Sequence, residues 1–297
     1  MKKILTLLCM MLVFICTGCG ENEIHGPESL TAIIMSKSIA EKGEEAQEGV
    51  ASVEKEREAE EIAESPSIER LLLLAKEPLG QTMYVWGGGW NEEDTGAGEE
   101  ARSLGVSPAW AEFASKQDAG YDYEATRYRI HDGLDCSGYI GWLMYNLFET
   151  QDGEEGYVIK ASGMAADFAD RGWGSYTEAG QVHDWKAGDI MSMKGHVWMS
   201  LGMCEDGSVV LLHASPPGVI LSGTRLENGS ASMAEHLANE YMSTYYPDWY
   251  AKYPETGRDY KYLTDSARMR WSGDVVSDAH GLRDMSAEDV LKWLFEG

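Results

Sequence analysis

The sequence predicts an α+β fold, in which helices and a run of antiparallel strands occupy separate stretches of one chain. Three observations lead there. Apolar residues recur at helical spacing directly after Cys136, at Ile140, Leu143, Met144 and Leu147. Four short strand-like segments then follow one another between Gly188 and Ser222, separated by turn residues. Two serine-led helical segments close the chain, after Ser230 and after Ser286.

The first residues read as a targeting segment. Lys2 and Lys3 precede an apolar stretch from Ile4 to Ile15, too short for a comfortable membrane span and right for a signal peptide. Cys16-Thr17-Gly18-Cys19 then resembles a bacterial lipobox, although Cys16 stands where leucine is usual. Residues 1–19 are therefore expected to direct export, with a lipid on Cys19 holding the protein to the bacterial membrane, facing the cell wall. Residues 20–64 are rich in Glu, Ala, Ser and Gly, with little apolar surface to bury, and read as a flexible acidic tether.

The folded part starts near Ser65-Pro66, with proline expected in the first helical turn and Ile68, Leu71, Leu72 and Ala75 as the buried stripe up to Leu79-Gly80. Met83 to Gly89 follows, ending in three glycines that permit close backbone approach. Residues 90–132 are polar and glycine-rich, with one helix predicted from Pro108 to Lys116 behind the cap Ser107. Met164 to Ala169 suggests another short helix. The strands are Gly188 to Met193, His196 to Cys204, Ser208 to Ala214 and Gly218 to Ser222, with Glu205-Asp206-Gly207 as a turn. Residues 226–297 form a C-terminal extension expected to be helical and packed on the 65–225 domain.

Composition narrows the function. With 24 Lys and Arg against 50 Asp and Glu, the chain carries a net charge of −26, which argues against nucleic acid as a partner and against charge-driven binding to anionic lipid. Of the five cysteines, Cys9 and Cys16 leave with the signal and Cys19 carries the lipid. Cys136 and Cys204 remain, too few for a disulfide framework. A Cys136–Cys204 bridge is the alternative to a free nucleophile.

Cys136 is the better nucleophile candidate. A thiol in the first turn of a helix feels the positive end of the macrodipole, which favours the thiolate. His196 and His213 lie on two successive strands. A register placing His196 opposite Ser215 or Pro217 puts both imidazoles on one face, and a slip of one residue puts them on opposite faces. With that face against the Cys136 helix, His196 can take the thiol proton while His213 orients it. Main-chain N–H groups at the helix start can help hold an oxyanion.

Five blocks in order now matter: Tyr84-Val85-Trp86-Gly87-Gly88, Leu134-Asp135-Cys136-Ser137-Gly138-Tyr139, Ala187-Gly188-Asp189-Ile190, Gly195-His196-Val197 and Leu212-His213-Ala214. Together they resemble the NlpC family of papain-like cell-wall cysteine peptidases, over about Ser65 to Ser222. The resemblance implies a small antiparallel sheet with the nucleophile helix packed on it. It implies Cys136 as nucleophile, His196 as base and His213 as the third polar residue. It also implies Tyr84, Trp86, Asp135 and Ser137 in the substrate cleft, although Asp135 can equally serve as a helix N-cap. The implied reaction is hydrolysis of an amide in a peptidoglycan stem peptide, commonly between γ-D-glutamate and a diamino acid. Two rivals stand beside it: a wall-binding lipoprotein without catalysis, and a related papain-like amidase or acyltransferase.

Three features depart from the family pattern. Residues 90–132 replace a short loop and are expected to roof the cleft. Trp198 stands where a small residue is common, either altering a subsite or filling the core. The extension after Arg225 has no counterpart in a minimal domain. Elsewhere, Cys204 reads as a buried small residue and His131 as a surface histidine. His25 falls in the tether, and His183, His236 and His280 lack ligand-like spacing. No Cys, His or Asp cluster has zinc spacing, so neither a metal nor another cofactor is expected. The aromatic run from Tyr241 to Tyr253 reads as packing for the extension.

Overall fold

The structure, a computed structural model, describes residues 65–148 and 155–297. The signal segment, Cys19 and the 20–64 tether lie outside the described residues. Helix α1 spans Ile68–Lys76 and buries Ile68, Leu71, Leu72 and Ala75. Its cap is Ser67, whose hydroxyl accepts the Arg70 N–H at 3.1 Å, so Pro66 precedes the cap instead of entering the first turn. The helix also stops at Lys76, short of Leu79.

Strand β1 (Met83–Tyr84) runs parallel to β2 (Gly133–Leu134). Between them, α2 (Pro108–Ser115) starts at Ser107 as its cap chemistry requires. Helix α3 (Cys136–Phe148) follows β2 directly and is buried from Cys136 to Leu147. It packs on α1 and on two strands of the sheet, and Trp142 meets Trp110 edge-on at 6.0 Å. Helix α4 (Met164–Asp170) leads into β3 (Gly174–Thr177).

Four antiparallel strands form the centre: β4 (Ile190–Met193), β5 (His196–Met203), β6 (Val209–Ser215) and β7 (Gly218–Thr224). Alternation gives them two buried faces. Val197, Met199, Leu212 and Ala214 join the main core with α3. Trp198, Met191, Val209 and Leu211 form a smaller second core with Leu263.

The extension corrects the expectation of a helical appendage. It does contain α5 (Met233–Tyr245), α6 (Pro247–Lys252), α7 (Lys261–Thr264) and α8 (Ala287–Glu296). It also contributes β8 (Gly257–Arg258), parallel to β7, and β9 (Ala267–Trp271), which lies between β4 and β3. The order is β2-β1-β7-β6-β5-β4-β9-β3, with β8 on β7, so the sheet is larger than a minimal one and mixed. The boundary at residue 225 therefore divides a single sheet. Strand β9 escapes sequence reading because Arg268 and Arg270 look solvent-seeking. Both are largely covered, with guanidiniums bonded to Asp184, and Arg270 also to Asp189.

Candidate active site

The loop before α3 is built by glycines and one carboxylate. A Cβ on Gly138 would lie 1.9 Å from the Gly88 carbonyl oxygen, and one on Gly88 2.3 Å from that of Gly133. Only glycine lets the triple-glycine loop press against the start of the helix. Asp135 closes this contact. One carboxylate oxygen accepts the Gly138 N–H at 2.7 Å and the Ser137 hydroxyl at 2.8 Å, and the other accepts the Gly87 N–H at 3.2 Å. Asp135 thus caps the helix start while also lining the cleft. Burial pushes its carboxyl up to about 6.

Cys136 is 6% exposed, and the backbone N–H groups of Val197, Ser137 and Cys136 itself favour its thiolate. Val197, whose N–H acts on the thiol, directly follows His196 in β5. The expected thiolate is not the resting form. Burial pushes the thiol up to about 12, with the Asp135 charge adding to it, and outweighs the N–H groups at the helix start. Cys136 and Cys204 are both free and buried, which removes the alternative of a bridge.

The histidine pair depends on a bulge. Near the β5–β6 turn Met203 faces Val209 and Gly202 faces Val210, a register that would split the two rings between faces. A shift between Ser200 and Gly202 restores the other register, with Met199 facing Leu212, and carries it on toward His196 and Ser215. His196 Nε2 and His213 Nδ1 then lie 2.8 Å apart. Alternation sets both rings on the face of Trp198 and Leu211, not on the Val197 and Leu212 face that packs on α3, so the expected packing of the imidazole face against the Cys136 helix is corrected. His213 is fully buried. Its Nε2 lies 3.0 Å from the Ser222 hydroxyl and accepts the Arg258 Nε–H at 3.1 Å. The Tyr262 ring meets both imidazoles, at 5.4 and 5.9 Å between centroids. Burial and the Arg258 charge push His196 down to about 3 and push His213 down as well.

A cleft of about 310 Å³ opens beside the thiol, with Tyr84, Trp86, Trp90, Asp94, Lys160 and Ser162 in its walls. Trp86 is 42% exposed, with the Arg127 guanidinium 4.6 Å from its ring. The inserted segment braces Tyr84. The Tyr121 hydroxyl donates to the Tyr84 carbonyl at 2.7 Å, and Tyr123 packs edge-on to its ring at 5.6 Å. Ser137 donates to Asp135 and accepts the Trp90 indole N–H at 3.0 Å, so it anchors a wall of the cleft. The insertion thus supplies walls, Trp90 and Asp94. A neighbouring hollow of about 410 Å³ continues along it to Glu92, Tyr128 and His131. His131 is a surface residue paired with Glu100.

Trp198 is fully buried, and its indole N–H donates to Ser266 at 3.0 Å. It fills the second core and forms no subsite. Sequence reading missed Trp90, Lys160, Ser222, Arg258 and Tyr262. No motif marks them, because each reaches the site through tertiary packing. Among the described residues no group of three His, Cys, Asp or Glu side chains is placed to hold a metal ion. Comparisons with protein-family models, curated proteins and solved structures find no match.

Proposed function

We propose that this chain is a cysteine peptidase of the papain-like NlpC type, cutting an amide of peptidoglycan stem peptides, with γ-D-glutamyl-diamino acid bonds as the preferred target. The observation that carries the reading is the convergence of three distant segments. The thiol at the start of α3 feels the Val197 N–H, His196 next to it in β5 pairs with His213 through Nε2, and Cys136 lines a cleft. The pairing with His213 leaves Nδ1 of His196 as the nitrogen for the thiol.

In the reaction, His196 takes the Cys136 proton and the sulfur attacks the scissile carbonyl carbon. The oxyanion gathers at main-chain N–H groups of the helix start. The C–N bond breaks as His196 returns its proton to the leaving amine, giving a thioester. Water, deprotonated by His196, then releases the acid and the thiol. Tyr84, Trp86, Asp135 and Ser137 shape the cleft for the peptide, and no cofactor takes part. In this reading a lipid on Cys19 fixes the exported protein to the bacterial membrane, facing the wall.

The test is incubation of the purified chain with defined muropeptides, with products read by mass spectrometry. Wild type should release two fragments, and Cys136→Ala should reduce the rate to background. Equal product from both would overturn the reading. One observation favours a second reading, wall binding without catalysis: burial keeps both Cys136 and His196 neutral at rest. Retention of wild type on muropeptides with no cleavage would select it.

A further inference from the structure

The contact between the C-terminal extension and the histidine pair has a chemical consequence. Arginine only donates hydrogen bonds. With Arg258 Nε–H directed at His213 Nε2 at 3.1 Å, that nitrogen carries a lone pair. A neutral His213 then bears its proton on Nδ1 and donates it to His196 Nε2 across 2.8 Å. His196 in turn keeps its own proton on Nδ1, the nitrogen the thiol needs. We propose that Arg258 holds the pair in the tautomer that cannot accept the Cys136 proton, so the 257–262 strap is a built-in brake on the site. The proposal rests on the peptidase reading and names how that site is regulated.

The active state needs the opposite proton arrangement. A proton arriving on His196 Nδ1 requires Nε2–H to donate to His213 Nδ1, and hence a proton on His213 Nε2. That proton would face Arg258 Nε–H, donor against donor, beside a fixed positive charge. Ser222 fits either state, since a hydroxyl both donates and accepts. Arg258 fits one alone.

The strap is suited to release. Strand β8 holds β7 through two residue pairs, Gly223 with Gly257 and Thr224 with Arg258. Arg258 Nη2 is buried without a hydrogen-bond partner. Carboxylates stand close by: Glu235 and Glu255 bind Arg225 at 3.1 and 2.9 Å, and a Cβ on Gly257 would lie 2.3 Å from Glu235. Arg258 acts on both imidazoles, and the charged and titratable groups acting on Arg258 are Tyr262, Arg225, Glu235 and Glu255, with Cys136 and Asp259 facing Tyr262 in turn.

The test uses the full chain and needs no peptide substrate. Iodoacetamide labelling at mildly acidic pH is followed by mass spectrometry of the Cys136 fragment, which separates it from Cys204. Arg258→Met should label at least tenfold faster than wild type, with its pH profile displaced to lower pH. Arg258→Lys, which keeps a charge and a donor, should stay within about twofold of wild type. An Arg258→Met variant no faster than wild type, or an Arg258→Lys variant equally fast, overturns the proposal. Nitrogen-15 NMR of the wild-type histidines reads the tautomer without any variant. Protonated Nδ1 and bare Nε2 on His213 are expected, and a proton on Nε2 overturns the brake. Loss of the peptidase reading would instead show as equal muropeptide cleavage by Arg258→Met and by Arg258→Met with Cys136→Ala, leaving these two readouts intact.

Discussion

Asp189 offers a sharp test of how the extension is joined to the site. It stands at the entry to β4 and is 1% exposed. Its carboxylate accepts Arg270 Nε at 2.8 Å and Nη2 at 2.6 Å, and the Lys186 N–H at 2.9 Å. Arg270 lies on β9, so this fork clamps the extension to the central strands. Asp189→Asn keeps the shape but turns one acceptor into a donor facing a guanidinium or an amide. Removing one partner of a buried charge pair costs about 3–5 kcal/mol. Arg270 keeps Asp184 at 2.7 Å, which places the cost at the lower end, about 3 kcal/mol. For a chain of this size each kcal/mol moves the melting temperature by about 2–4 °C, so a fall of about 6–12 °C is expected by circular dichroism. Arg270→Met should fall similarly, and the double variant should lose roughly 2 kcal/mol less than the two together. A single-variant shift below about 2 °C, or simple additivity in the double variant, would refute the clamp.

Three further outcomes are expected. Gly138→Ala would drive a methyl to 1.9 Å from the Gly88 carbonyl, displacing the start of α3, so the proposed Cys136-dependent cleavage should fall at least a hundredfold while the chain stays folded by circular dichroism. Lys160→Glu places a like charge in the cleft, and under the proposed peptidase reading KM for anionic muropeptides should rise about tenfold (~1.4 kcal/mol) with kcat little changed, as steady-state kinetics would show. Because burial holds the thiol up at about 12 and His196 down at about 3, neither titrates near neutrality. Wild-type Cys136 alkylation should therefore climb about tenfold per pH unit between roughly pH 6 and 9, since only the thiolate reacts; a plateau in that range would contradict the assigned resting state.

What the sequence makes legible is local. Ser107, Pro108 and the stripe after Cys136 place two helices, because caps and periodicity act within a few residues. The parity of His196 and His213 is also readable, but their register is not, since the bulge near Leu201 arises from packing across the strands. Asp135 looks ambiguous in sequence and proves both cap and wall, because one carboxylate can serve three donors and still border a cleft. The thiol's charge state is misjudged from the helix start alone. A dipole is visible in the sequence, whereas the burial that opposes it depends on the whole fold. Arg258 and Tyr262 stay hidden for the same reason: Gly257-Arg258 reads as an ordinary loop until β7 is there to receive it.

The place of β9 in the sheet also sets a timetable for synthesis. A nascent chain that has emerged only through Thr224 possesses the thiol, both imidazoles and four central strands. Its β4 edge is still bare, and Asp189 still awaits the arginine that neutralises it. Unpaired edges invite pairing with other chains, and contacts between residues so far apart in sequence close late. The stretch made after Thr224 thus completes the scaffold and delivers Arg258 as well, so a finished sheet and the proposed restraint on the sulfur arrive together.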